Sequence, residues 1–175
     1  MGRTGGRSSV KPVAPPPTAD HTVRVTTDIS THISTDISTD ISSGAIPGRD
    51  ELADLYDAVG WVAYTRDLPT LERAMQGSSH VVTARKEGRL VGLARVVSDG
   101  ATVAYLQDVL VRPEEQGQGV GKRLVAEALA PFDAVRQQVL LTDDEPGQRA
   151  FYQSLGFAEI RDLDDGSLRA FVKFG

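Results

Sequence analysis

From residue 27 onward an isoleucine recurs every fourth position, at Ile29, Ile33, Ile37 and Ile41, with Thr, Asp, His and Ser between. An even period places all four on one face of an extended strand, and Ser, Thr and Asp disfavour helix interiors. A strand is therefore expected over about Ile37–Ala45. Leu52, Ala53, Leu55, Tyr56 and Val59 then recur at helical spacing and stop at Gly60, predicting a helix from about Pro47. After the aromatic connection Trp61–Arg66, a second helix is expected over Leu68–Gln76. His80–Lys86 and Leu90–Ser98 read as two strands joined by the short turn Glu87-Gly88-Arg89. A turn at Asp99-Gly100 leads to a third apolar run, Val103–Val111.

Farther on, Leu124, Val125, Ala128 and Leu129 share one helical face, and Val139–Thr142 reads as a strand. Gln148–Leu155 is a short helix stopped by Gly156, with Phe157 placed for a capping contact. Two more strands, Ala158–Arg161 and Leu168–Lys173, are expected around the turn Asp164-Asp165-Gly166. The order β-α-α-β-β-β-α-β-α-β-β describes an α/β domain. Its mixed, mostly antiparallel sheet has six to seven strands flanked by about four helices.

Residues 1–34 stand apart. Their first 20 positions are rich in Gly, Ser and Pro, including Pro15-Pro16-Pro17, and cannot bury a core. A disordered tail over 1–34 and one folded domain over 35–175 follow. Because the repeat length is even, slipping the first strand by one repeat leaves every isoleucine on the same face, so its register is weakly specified.

Composition narrows the function. A net charge of −5 argues against a nucleic-acid partner. Without cysteine the chain has no disulfide framework, no thiolate metal site and no thiol nucleophile. His21 and His32 fall in the tail and His80 at a strand start, so no metal site is expected. No apolar stretch approaches membrane-spanning length and no signal-peptide core is present. Gly6 stands where a myristoylation signal wants Ser or Thr. A cytoplasmic protein without a membrane partner is expected.

The candidate chemistry lies between the Val103–Val111 strand and the following helix, in Gln116-Gly117-Gln118-Gly119-Val120-Gly121-Lys122. A helix start leaves unpaired N–H donors and a partial positive charge, which suits a phosphate. Lys122 and Arg123 occupy a first turn where the helix dipole alone favours acids, a conflict that a bound polyanion removes. The triphosphatase loop is excluded, because Gln116 stands where its first glycine belongs and Arg123 where its Ser or Thr belongs. The dinucleotide motif fails because Lys122 occupies its third glycine.

What fits is Gln/Arg-x-x-Gly-x-Gly/Ala, through Gln116, Gly119 and Gly121. With Val111-Arg112-Pro113 before it and Phe151-Tyr152-Gln153-Ser154-Leu155-Gly156-Phe157 after it, the chain resembles the GNAT superfamily of acyl-CoA-dependent N-acetyltransferases. The resemblance implies a single GNAT-type domain using acetyl-CoA or another short acyl-CoA. It assigns cofactor contacts to Val109, Leu110 and Val111, and to Gln116, Gly117, Gln118, Gly119, Val120, Gly121 and Lys122 of the loop. Asp143, Phe151 and Tyr152 complete that set. The Val109 N–H would polarise the thioester carbonyl, and Tyr152 would protonate the departing thiolate as general acid.

An alkylamine with pKa near 10 is only about 0.1% neutral at pH 7, so a base or water chain is expected. Relatives place a glutamate where this chain has Tyr105, which leaves Asp108, with Asp143 as the other substitute. Trp61, Tyr64, Arg66 and Gln107 are expected on the acceptor side, where aromatic rings suit a small or aryl-bearing amine. Omitting residues 1–35 removes four basic and two acidic residues and deepens the charge from −5 to −7, which suits a cationic acceptor. The implied reaction is direct attack by a small-molecule primary amine in a ternary complex. Two alternatives stand beside it: an acyl-CoA sensor without turnover, and a protein-lysine or N-terminal acetyltransferase. A homodimer is a habit of the family.

Overall fold

The computed structural model describes residues 38–163 and 168–174. Among these residues five strands form one sheet: β1 (Asp40–Ser43), β2 (His80–Lys86), β3 (Arg89–Ser98), β4 (Val103–Val111) and β5 (Gln137–Leu140). They lie in chain order, antiparallel except for the parallel pair β4–β5. The helices are α1 (Arg49–Ala58), the single turn α2 (Val62–Thr65), α3 (Leu68–Gln76), α4 (Val120–Leu129) and α5 (Pro146–Gln153). None of them is long and apolar enough to cross a membrane.

Local chemistry fixes the boundaries. Glu51 accepts the Gly48 N–H at 3.1 Å and closes the start of α1. Asp67 caps α3 by accepting the Thr70 N–H at 3.1 Å. At the β3–β4 turn the Asp99 carboxylate accepts the N–H groups of Ala101, Thr102 and Val103 at 2.8–3.1 Å. Those bonds and one from the Thr102 hydroxyl hold this acid well below the usual carboxylate range.

Each face of the sheet buries its own apolar cluster. On one face α4 inserts Val120, Leu124, Val125, Ala128 and Leu129 against Val82, Ala94, Val96, Ala104 and Leu106. On the other, Leu52, Leu55 and Tyr56 of α1 and Leu71 and Met75 of α3 cover Val81, Leu90, Leu93 and Leu110. The helices are amphipathic because each has only one sheet face to cover.

One irregularity organises the centre. The β3–β4 register runs Asp108↔Arg95, then jumps to Leu106↔Val96, leaving Gln107 as an extra residue on β4. Such a bulge reverses the in-out alternation of the strand. Before it, Ala104 and Leu106 point into the α4 cluster; beyond it, Val109 and Val111 do, while Leu110 turns to α1 and α3.

Several expectations need correction. The sheet has five strands among the described residues, not six to seven. Residues 160–162 form a 3₁₀ turn in place of the expected Ala158–Arg161 strand. Ion pairs of Arg149 with Glu159 and Asp162 tie that turn to α5. Leu168–Lys173 has no strand partner, and Phe171 and Phe174 flanking its end are 89% exposed. The fifth strand runs Gln137–Leu140 and not Val139–Thr142, and Leu141 beyond its end is exposed. Only the last copy of the repeat enters the described residues, with Ile41 paired to Ala84 and packed against the α4 cluster. The earlier copies, the tail over 1–34 and the turn Asp164-Asp165-Gly166 lie outside them.

Two outcomes are expected. Deleting one Thr-Asp-Ile-Ser unit returns the same tetrapeptide to β1, so urea unfolding should shift negligibly. A loss above about 2 kcal/mol, the scale of a core deletion, would contradict this. At Gly92 an added Cβ would lie 2.8 Å from Leu124 Cδ1 and 2.9 Å from the Leu110 carbonyl oxygen. Because the backbone oxygen cannot retreat, Gly92→Ala should destabilise by about 1–3 kcal/mol in the same experiment.

Candidate active site

β4 and β5 pair only from Val103↔Gln137 to Leu106↔Leu140. Beyond the bulge, the β4 edge over residues 107–111 therefore has no strand beside it. The Arg112 N–H bonds the Val91 carbonyl of β3 at 2.9 Å. Backbone groups alternate along a strand, so Leu110 and Asp108 also face β3 while Val109 and Val111 face the open edge. The Gln116 side chain donates to the Val111 carbonyl at 2.9 Å and covers one of those groups. The Val109 N–H and C=O and the Val111 N–H remain available to an extended ligand, in the manner of an added strand.

The glycine loop follows this edge after the 3₁₀ turn Pro113–Glu115. Gly117 and Gly119 hold φ of +74° and +80°, a left-handed backbone that side chains with a Cβ adopt only under strain. Gly119 is the N-cap of α4 and has no side chain to cap it. The N–H groups of Val120, Gly121 and Lys122 thus open the helix without an intrahelical acceptor. Lys122 and Arg123 are exposed and form no ion pair among the described residues. Gly121 is small for a different reason: a Cβ there would lie 3.4 Å from the Phe151 ring. The loop and α5 are thereby in contact. Open N–H groups, two free cations and a bare strand edge fit the phosphates and amide arm of a CoA thioester.

Tyr152 is held by the end of its own helix. Gly156, at φ +90°, lets the Phe157 N–H reach the Tyr152 carbonyl at 3.1 Å and the Gly156 N–H reach Gln153 at 3.0 Å. That is the Schellman arrangement, and its apolar contact is the edge-to-face pair Tyr152–Phe157 at 6.0 Å. Phe151 packs edge-on against Tyr152 at 5.0 Å. Burial pushes the Tyr152 phenol up, with Thr142 partly opposing it, so the group stays protonated as a donor. Asp143 is exposed on the loop that follows β5.

On the opposite face, Tyr56, Trp61 and Tyr64 form an aromatic group with ring centroids 5.4–6.2 Å apart, Trp61 and Tyr64 stacked. Burial raises the phenols of Tyr64 and Tyr105, and the Asp108 carboxylate raises both further. Tyr105, Gln107 and Asp108 thus lie beside this aromatic group. Arg66 is exposed at the end of α2 and forms no ion pair among the described residues.

Asp108 is only 1% exposed, and Arg95 opposite it 7%. Its Oδ2 accepts from the Tyr56 hydroxyl at 2.7 Å and from Arg95 Nε. Arg95 in turn reaches Ser78 Oγ at 3.2 Å, and Ser78 donates to the Ala74 carbonyl of α3. Asp108, one of the two acids the sequence offers as a base, is in this arrangement a structural hub that ties the bulge to α1 and α3. Sequence reasoning missed Tyr56 and Arg95. The available signal was an unpaired charge inside each of two apolar strands, which marks a buried pair.

Removing one partner of a buried pair leaves an uncompensated charge, so Arg95→Met should cost about 3–5 kcal/mol in urea unfolding. Arg95→Met/Asp108→Leu should cost less than the single change. A single change costing under about 1 kcal/mol would remove the hub.

Known proteins share the sequence family and the fold. A sequence model described as an acetyltransferase (GNAT) domain matches residues 50–166. An uncharacterized N-acetyltransferase, ycf52, of Pyropia yezoensis is 33% identical over 118 residues, covering 65% of this chain and 66% of its own. The chain therefore spans just under two thirds of that relative. A GNAT-family acetyltransferase of Streptococcus pneumoniae superposes with a TM-score of 0.69 at 30% identity, over 79% of this chain and 98% of its own. The fold is shared, at TM-score 0.60 and 20% identity over 79% and 95% of the two chains, by an aminoglycoside N-acetyltransferase in complex with CoA. With the matched region running from α1 through the glycine loop and α5, the chain belongs to the GNAT acetyltransferase family.

Proposed function

We propose that the protein transfers an acetyl group from acetyl-CoA, or another short acyl-CoA, to a small primary amine within a ternary complex. The observation that carries this reading is the bare β4 edge beyond Gln107, which leads through a 3₁₀ turn and the glycine loop to the uncapped N-terminus of α4. When bound, acyl-CoA supplies the activated acyl group as a thioester. The Val109 and Val111 backbone orients the extended arm, and the N–H groups of Gly117 to Lys122 hold the phosphates. In this reading the Val109 N–H polarises the thioester carbonyl lying along the edge. Tyr152 keeps its proton because burial raises its phenol, and gives it to the leaving sulfur.

On the acceptor side Trp61, Tyr64 and Gln107 present two aromatic faces and an amide next to the bulge, which suits a compact amine with an apolar body. Arg66 lies at the rim and would act on a larger acceptor. With Asp108 occupied by Arg95 and Tyr56, Asp143 is the remaining carboxylate for proton removal, through solvent if not directly.

Tyr152→Phe should lower kcat by about 10²–10⁴-fold while leaving KM for acetyl-CoA nearly unchanged. Full kcat in this variant overturns the acid role. Because the phenol is shifted upward, wild-type kcat should not fall between pH 7 and about 10 through this group. A mass-spectrometric screen of small amines beside peptides identifies the acceptor. Acetylation of peptides alone would point to a protein substrate, and CoA binding without transfer to any acceptor would point to a sensor.

A further inference from the structure

The turn that leads into the glycine loop carries two acids, Glu114 and Glu115, on a 3₁₀ turn that ends one residue before Gln116. Carboxylates so close to a phosphate site oppose the ligand it is built for. Each of them is nevertheless matched by a cation from the β2–β3 hairpin. Lys86 Nζ lies 3.0 and 2.9 Å from the two oxygens of Glu115, whose side chain is 10% exposed. Arg89 Nη1 lies 3.2 Å from Glu114 Oε1, in a pair more than half exposed at both ends. Lys86 and Arg89 are themselves directly paired across the hairpin. The other cations nearby are spoken for differently. Arg85 binds Glu51, and the buried Arg112 binds Asp54 and the Leu90 carbonyl.

We infer that Lys86 and Arg89 are positioning residues that cancel Glu115 and Glu114 beside the anion loop. The field at the loop is then set by its N–H groups together with Lys122 and Arg123. The inference rests on the acyl-CoA reading of that loop and adds to it a source of affinity outside the loop. Lys86 has the larger effect, because its partner is buried and poorly screened, whereas the Arg89 pair sits in water. Nothing in a purely mechanical brace requires this order of effects. A brace fails when either member is lost, whereas a charge shield fails only when the cation is lost.

That difference gives the test. The Kd of CoA is measured by calorimetry at low salt for the full chain and for Lys86→Met, Glu115→Gln and the double variant. Lys86→Met should weaken binding by about five- to tenfold, an effect that shrinks as salt is added. Glu115→Gln should bind CoA at least as tightly as wild type, and the double variant should return to near the wild-type value. Arg89→Gln and Arg89→Gln/Glu114→Gln, both at the surface, should repeat the pattern at smaller amplitude and do so even if Lys86→Met does not fold. Equal weakening by Glu115→Gln and Lys86→Met, or a double variant as weak as Lys86→Met, overturns the shield and leaves the loop's ligand intact. Wild-type protein that does not bind CoA at all overturns the loop reading itself, and the shield falls with it.

Discussion

The open edge of β4 depends on one extra residue. Gln107 breaks the pairing of β4 with β3 just where β5 runs out, and everything beyond it changes direction. Without that shift, Val109 and Val111 would point toward α1, and Leu110 would face α4. The chain holds the irregularity in place with charge as well as packing. Asp108 and Arg95 are directly opposed across the strands immediately after the bulge, and their ion pair is closed by the Tyr56 hydroxyl. Burying an ion pair adds little net stability, but it penalises other registers, because any slip would strand a charge in the core.

On the proposed function, donor and acceptor sides fall on different parts of the same strand. The edge of β4, the uncapped α4 terminus and Tyr152 gather at one end, linked by contact between Gly121 and Phe151. The aromatic group of Tyr56, Trp61 and Tyr64 stands on the face that Asp108 and Leu110 turn to. A single bulge thus exposes backbone donors along an edge while aiming side chains at an aromatic surface. The electrostatics are divided in the same way. Acids close to the loop are paired with hairpin cations, and the acid behind the aromatic group is paired with a strand cation.

Elements with strong periodicity were legible in the residues themselves. α3, β2 and β4 have the bounds expected from sequence, and β3 begins one residue earlier than expected. The Gly156 cap was legible too, since Gly followed by an apolar residue after a short amphipathic helix has one common solution. What could not be read was pairing. Leu168–Lys173 is rich in strand-forming residues, but composition does not supply a neighbour. At the candidate site, the left-handed Gly119 and the helix carrying Tyr152 were legible from local sequence. The fate of Asp108 was not, because its partner Arg95 lies on another strand and Tyr56 looked like an ordinary core position on α1. The Lys86–Glu115 pair is hidden for the same reason, its members lying 29 positions apart.

The central claim is that Val109 and Val111, and not their neighbours, face the cofactor. Amide hydrogen exchange resolved by residue, with and without CoA, tests it directly. Binding should slow exchange at Val109, Val111 and the loop amides from Gly117 to Lys122. Leu110 and Asp108, already bonded to β3, should change little. Protection that skips Val109 and Val111, or that appears only on the α1 and α3 face, would contradict the account.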